Sequence, residues 1–272
     1  ALSGVVEPAK GVVFAKFSKD GKDSWCHLAK DESGANVLTE AYWVTKLAAP
    51  VQDSKGTMVS VLYNGIPKTE SKPLQAGHIQ KLIFHGERTE EARNLSIVEF
   101  LGTIKDSTIT RFSNKTLDDG NDKVTVYYQN PTPGKELLAP GVKFKVSKGA
   151  TFMDKMNFAS LMMALFFGTA ALPHILIRYY TVPTPAAARK STIVAIAAIG
   201  LFYILTLFMG LGAMVNGVVD LTDDNMSAPL LARSFGVTLF AIISAIAFAT
   251  VLGTVSGLIV ASSGAVAHDL MD

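Results

Sequence analysis

The sequence predicts two unlike halves: a soluble, mostly β domain over residues 1–150, then a membrane α-helical region of three spans over residues 151–272. Three observations carry this. Charge is segregated, because the first 155 residues hold 21 of the 25 Lys and Arg and 18 of the 23 Asp and Glu. The remainder contains three apolar runs, each longer than the roughly 20 residues needed to cross a ~30 Å hydrocarbon core. The first part instead has short runs in which apolar and polar residues alternate, as half-buried strands require.

The β-prone runs are 12–17, 41–47, 57–63, 79–84, 107–112, 123–128 and 142–146. Turn signals separate them, among them Asn64-Gly65, Asp119-Gly120-Asn121 and Pro140-Gly141. Residues 87–104 are ambiguous, and the opening at 88–93 reads as one or two helical turns. A single cysteine, Cys26, excludes an intrachain disulfide. A net charge of +2, without a basic stripe, gives no sign of a nucleic-acid partner. The start at Ala1 and the finish after a long apolar run lead us to expect a piece of a longer polypeptide.

Catalytic chemistry is not expected in the first half. Cys26-His27 with Asp31 resembles a thiol and its base, but neighbours on a strand point to opposite faces. His78 and His85 are an odd number of residues apart, which argues against a shared metal on one strand face. Trp25, Tyr42 and Trp43 read as core aromatics.

The spans are expected at about 155–182, 192–219 and 235–267. Arg178, Arg189 and Lys190 lie between the first two, without an acid. Asp220, Asp223 and Asp224 lie between the second and third, against Arg233 alone. The positive-inside rule then puts the first loop and the C-terminus in the cytoplasm, and residues 1–150 outside the plasma (inner) membrane. The lipid bilayer is thus an expected partner. In the first span Gly168 and Pro173 interrupt an apolar run. Backbone groups freed by such a break must find partners in protein, ions or water, so it marks either a cavity or a packing kink. His174 follows, an ionisable group at a depth where one is costly. In the third span Thr250, Gly253, Thr254, Gly257, Ala261 and Gly264 recur at steps of three and four and form one stripe. Close helix packing accounts for the glycines. The hydroxyls also allow hard oxygen ligands for a cation.

Residues 157–272 resemble the solute:sodium symporter family, in its cation/acetate symporter branch. The stretches that carry the resemblance are Phe167-Gly-Thr-Ala-Ala-Leu-Pro-His-Ile-Leu-Ile-Arg-Tyr-Tyr-Thr-Val182, Ala187-Ala-Arg-Lys-Ser191, Phe202-Tyr-Ile-Leu-Thr206, and 245–250 through to Ala267-His-Asp-Leu270. The resemblance implies an inverted-repeat, LeuT-type transporter core, of which these spans are the sixth to eighth core helices. It implies symport of a small monocarboxylate such as acetate, with Na⁺ as coupling ion or H⁺ in its place, no organic cofactor and no enzymatic activity. It makes Gly168, Thr169, Ala170, Pro173 and His174 the candidate substrate-lining residues. It makes Thr250, Gly253 and Thr254 the candidate ion-binding residues, with Gly253 lacking the hydroxyl that the family pattern has there. The other half of the ion site would come from the missing remainder of the polypeptide. The competing expectation is a membrane-anchored extracytoplasmic ligand-binding or sensor module.

Overall fold

The structure is a computed structural model. It describes residues 1–19, 22–31, 33–139, 144, 146, 149–170 and 181–270, and only the backbone of residues 169, 170, 269 and 270. The chain forms two compact units, one of residues 1–135 with 213–227, the other of residues 136–212 with 228–272.

The first unit is built on a meander that opens with β1 Leu2–Ala9, β2 Val12–Lys19, β3 Lys22–Lys30 and β4 Asn36–Gln52. Then come β5 Met58–Tyr63, β6 Ile66–Pro67, β7 Gln75–Ala76, β8 His78–Phe84 and β9 Glu87–Thr89. Helix α1 Ile97–Asp106 precedes the long hairpin of β10 Thr108–Asp119 and β11 Asp122–Pro133. A single turn, α2 Gly134–Leu137, follows it. Every pairing is antiparallel, and the ladder order is β1-β2-β3-β4-β11-β10-β8-β9, with β5 on β4 and β6 on β5. Asn64 and Gly65, at φ of 49° and 79°, close the β5–β6 hairpin as their sequence predicts.

Alternate residues share a face. One face gathers Phe14, Trp25, Ala41, Leu117, Val124 and Val126 into the first core. The sheet curls round it, because Lys16 on β2 reaches Asp119 on β10 at 2.6 Å although three strands lie between them in the ladder. The other face carries a second core of Val44, Tyr63 and Leu74, packed with Tyr42 and Tyr127.

The ambiguous segment 87–104 divides into a strand and the start of a helix. Residues 87–89 pair as strand β9 with β8, and the helix begins at Ile97. Its start is set by a capping box: Ser96 Oγ accepts from Glu99 N, while the Glu99 carboxylate accepts from Ser96 N at 2.9 Å. The run 142–146 lies mostly outside the described residues. Strands β1 and β3 have no counterpart among the β-prone runs read from the sequence.

In the second unit, α3 Phe152–Ala170 begins at a similar box between Thr151 and Asp154. Helix α4 Pro185–Val215 has Thr184 as its cap and proline at its first position, where no N–H is needed. It therefore starts and ends several residues before the 192–219 expected. Gly217, at φ 67°, closes it: Val218 N donates to Ala213 O at 3.0 Å, and Gly217 N to Met214 O at 3.2 Å. Strand β12 Val219–Asp220 belongs to the first unit, and beyond it the short amphipathic α5 Ser227–Phe235 buries Leu230 and Ala232. Gly236, at φ 144°, separates it from α6 Val237–Leu270.

Among the described residues, two helices are long and apolar enough to cross a membrane: Pro185–Val215, of mean hydropathy 2.4, and Val237–His268, of 2.2. The first expected span is described over 155–170 and at 181–182, and residues 171–180, Arg178 among them, lie outside the described residues.

Candidate functional site

The stripe expected on the third span lies on α6, a continuous helix. Thr250 Oγ1 donates to Ile246 O at 2.8 Å, and Thr254 Oγ1 donates to Thr250 O at 3.0 Å. Both hydroxyls thus bond back to their own helix. The second bond brings together two of the expected ligand oxygens, the Thr254 hydroxyl and the Thr250 carbonyl. Both threonines are exposed, and a Cβ added at Gly253 would meet nothing within 4 Å. Chemically, this arrangement is two hard oxygens on one helix face. A cation there would displace the Thr254–Thr250 hydrogen bond, with the hydroxyl keeping its proton and turning a lone pair to the ion. Among the described residues no group of three His, Cys, Asp or Glu could hold a metal ion.

Of the candidate substrate-lining residues, Gly168, Thr169 and Ala170 lie on the last described turn of α3. Gly168 is exposed, with open space where a Cβ would sit. Pro173 and His174 lie outside the described residues.

The catalytic reading of Cys26-His27 meets contrary geometry. His27 is buried on the inner face, its ring 4.7 Å from that of Tyr128 and 5.8 Å from that of Phe14. Burial holds its pKa below the usual imidazole value. Burial pushes the Cys26 thiol up, with the Glu40 charge adding to it, so a reactive thiolate is disfavoured. Trp25 is buried in the first core, and Tyr42 packs against Phe112 with the rings tilted and their centroids 5.7 Å apart. His85 sits in a turn at φ 51°, beyond the end of β8 that His78 begins.

Sequence reasoning missed the docking of the α4–α6 connection on the β domain. Strand β12 pairs with β7, Val219 against Ala76 and Asp220 against Gln75. Leu221 N donates to Leu74 O at 2.9 Å, and its side chain packs on the second core. Tyr63 Oη donates to Thr222 Oγ1 at 3.3 Å. Buried Asp220 accepts from Thr222 N and Oγ1, at 2.8 and 2.7 Å. Burial pushes the Tyr127 phenol up, with Tyr63, Asp220 and Asp224 adding to it. The signal available in the sequence was the β-prone run Val218-Val219-Asp220-Leu221 directly after a glycine.

The model of the sodium:solute symporter family matches residues 111–272. The chain belongs to the sodium:solute symporter family. The match starts inside β10, so the β10–β11 hairpin goes with the family stretch, upstream of residue 157 where the sequence resemblance begins. A monocarboxylic acid transporter of Corynebacterium glutamicum is 47% identical over 141 residues, 50% of this chain and 25% of that protein. A symporter of Bacillus subtilis, named uncharacterized symporter YwcA, is 46% identical over 143 residues, 50% of this chain and 26% of that protein. The chain thus spans about a quarter of the length of these relatives. No solved structure matches it. Family membership explains why α4 and α6 have no buried residue in their most apolar windows: such surfaces face lipid or other helices.

Proposed function

We propose that this chain is part of a cation-coupled symporter that carries a small monocarboxylate such as acetate across the plasma membrane, with Na⁺ as the coupling ion. The observation that supports this most is the family match over 111–272, joined by the monocarboxylate named for one relative. In this reading α3 belongs to the first expected span, which Gly168 and Pro173 interrupt, within an inverted-repeat core. Backbone groups at Gly168, Thr169 and Ala170, with Pro173 and His174, line the substrate path. A helix N-terminus at such a break favours a carboxylate, because its unpaired N–H groups carry partial positive charge. Thr250, Gly253 and Thr254 supply one wall of the ion site, and the rest of the polypeptide supplies the other. Coupling follows if ion binding favours the conformation in which substrate also binds. The family match along the helices favours this reading over a stand-alone sensor module.

The test is uptake of radiolabelled acetate by the full-length protein in proteoliposomes, with and without an inward Na⁺ gradient. Gradient-driven uptake is expected. Thr254→Ala should weaken apparent Na⁺ affinity about tenfold, the scale of one lost bond to a charged group. Uptake driven by a proton gradient and indifferent to Na⁺ would refute sodium coupling. Absence of acetate, propionate and pyruvate uptake by folded protein would refute the carboxylate assignment.

A further inference from the structure

The strand registers deliver three cations to one hollow on the second face of the sheet. Lys81 on β8 stands directly opposite Thr108 on β10. Arg88 on β9 stands opposite Ile83, two residues beyond Lys81, so both cations share a face. Lys30 ends β3 in register with Asn36, an even number of residues before Tyr42, and so lies on that same second face. All three line a cleft of about 550 Å³ together with Asp31, Gln80 and Thr108. This falls within the ~300–1,000 Å³ usual for small-ligand sites.

The charges in this cleft are not compensated as others in the domain are. Lys16, for contrast, touches two carboxylates, those of Asp23 and Asp119. Among the described residues, Lys30, Lys81 and Arg88 have no ion pair. Among the described lining residues Asp31 is the one carboxylate, and its Oδ1 already accepts from Ser33 N, Ser33 Oγ and Ala35 N at 2.9, 2.6 and 2.9 Å. The described lining residues therefore sum to a net charge of +2 within a concavity, where protein walls concentrate the potential. Glu90 borders a neighbouring hollow that Arg88 also lines, and the two form no ion pair in the structure.

We propose that this cleft binds a small soluble organic dianion, a dicarboxylate, at a site separate from the long helices. The guanidinium of Arg88 offers a planar fork that takes one carboxylate through two parallel hydrogen bonds. Lys30 and Lys81 meet the second carboxylate as point charges. Thr108 and Gln80 add neutral donors. A monocarboxylate would match half the charge and leave most of the volume to water. The site thus differs in ligand class from the proposed transport path, and it does not depend on which solute crosses the membrane.

The test is isothermal titration of the full-length protein in nanodiscs of zwitterionic lipid, with succinate, acetate and inorganic phosphate as probes. Arg88→Gln, Lys81→Gln and Lys46→Gln are compared, the last an exposed lysine elsewhere on the domain. Saturable succinate binding is expected, weaker with added salt. It should weaken about tenfold or more in Arg88→Gln and in Lys81→Gln, and stay unchanged in Lys46→Gln. Acetate should bind more weakly than succinate. No succinate binding, or binding equal in all variants, would overturn the proposal, and the second result would move the ligand to another site. Phosphate binding tighter than succinate would overturn the dicarboxylate assignment. A separate arm follows hydrogen exchange of β8 and β9 with phosphatidylserine vesicles. Protection by these vesicles and not by succinate would make the ligand a lipid headgroup and overturn a soluble one.

Discussion

Thr254 donates its hydroxyl to the Thr250 carbonyl, and in the proposed ion site a cation would have to displace that contact. Between them in sequence stands Gly253, with open space around it. Gly253→Ser would supply the hydroxyl that the family pattern has at this position, and its Cβ meets nothing within 4 Å among the described residues. If α6 holds the coupling ion, the variant should raise apparent Na⁺ affinity in the uptake assay, by up to about tenfold. Unchanged affinity would argue against an ion site on this face. His27 offers a prediction of a different kind. Burial depresses its pKa, so it is neutral in the fold. The unfolded chain binds that proton below about pH 6.5 and the folded chain does so only at lower pH, so the stability contribution is complete above about 6.5 and is lost as pH falls. His27→Phe keeps the ring packing, and Thr39 Oγ1 can still donate to the residue 27 carbonyl. Hydrogen exchange of β3 at pH 5.5 and 7.5 should differ more in the native protein than in this variant. Equal pH dependence would show that His27 does not carry the effect. The stripe on α6 was legible because helical spacing alone sets it. The burial of His27 was not, because a histidine on a strand reads the same whichever face the core takes.

The hairpins announced themselves at the element scale through Asn64-Gly65 and Asp119-Gly120, where local φ needs and sequence agree. Helix α1 did not. The charged opening at 88–93 looks helical, yet pairing with β8 overrides it and delays the helix to the Ser96–Glu99 box. That box was readable, and Ser96→Ala should destabilise the domain by about 1 kcal/mol in denaturant unfolding followed at α1. The docked connection was hidden for another reason. A strand of two residues has too little pattern to announce itself, and its pairing depends on β7, over 140 residues away in sequence. Its hold can be tested at Leu221 and Gly217. Leu221→Ala removes half-buried apolar surface from the second core and should cost about 1–2 kcal/mol. Gly217→Ala would force a side chain to φ 67° and bring its Cβ to 2.7 Å from the Gly77 carbonyl. Both variants should speed limited proteolysis at 218–226, whereas the exposed Asn225→Ala should not. Equal rates in all three would mean that the connection opens regardless of these contacts.

For the whole molecule, the docking constrains topology more tightly than charge does. Residues 213–227 join α4 to α6 and fold into one compact unit with residues 1–135. A segment hydrogen-bonded to a soluble domain lies on that domain's side of a bilayer. Helix α4 has 31 residues, about 46 Å at 1.5 Å each, and α6 is longer still. Each exceeds the ~30 Å hydrocarbon core, so a membrane-spanning α4 predicts the basic pair Arg189-Lys190 at its start on the opposite side. The positive-inside rule then predicts Arg189-Lys190 in the cytoplasm and the β domain outside. Single cysteines in a Cys26→Ser background at the exposed positions Ser54, Asn225 and Ser191 test this in right-side-out vesicles. An impermeant maleimide should label Ser54→Cys and Asn225→Cys at once, and Ser191→Cys only after permeabilisation. Labelling of Ser54→Cys and Asn225→Cys from opposite sides would contradict the docked connection itself. Labelling of Ser191→Cys alone would keep the docking and reverse the orientation. The two outcomes thus separate what the β12–β7 pairing requires from what the charge distribution adds.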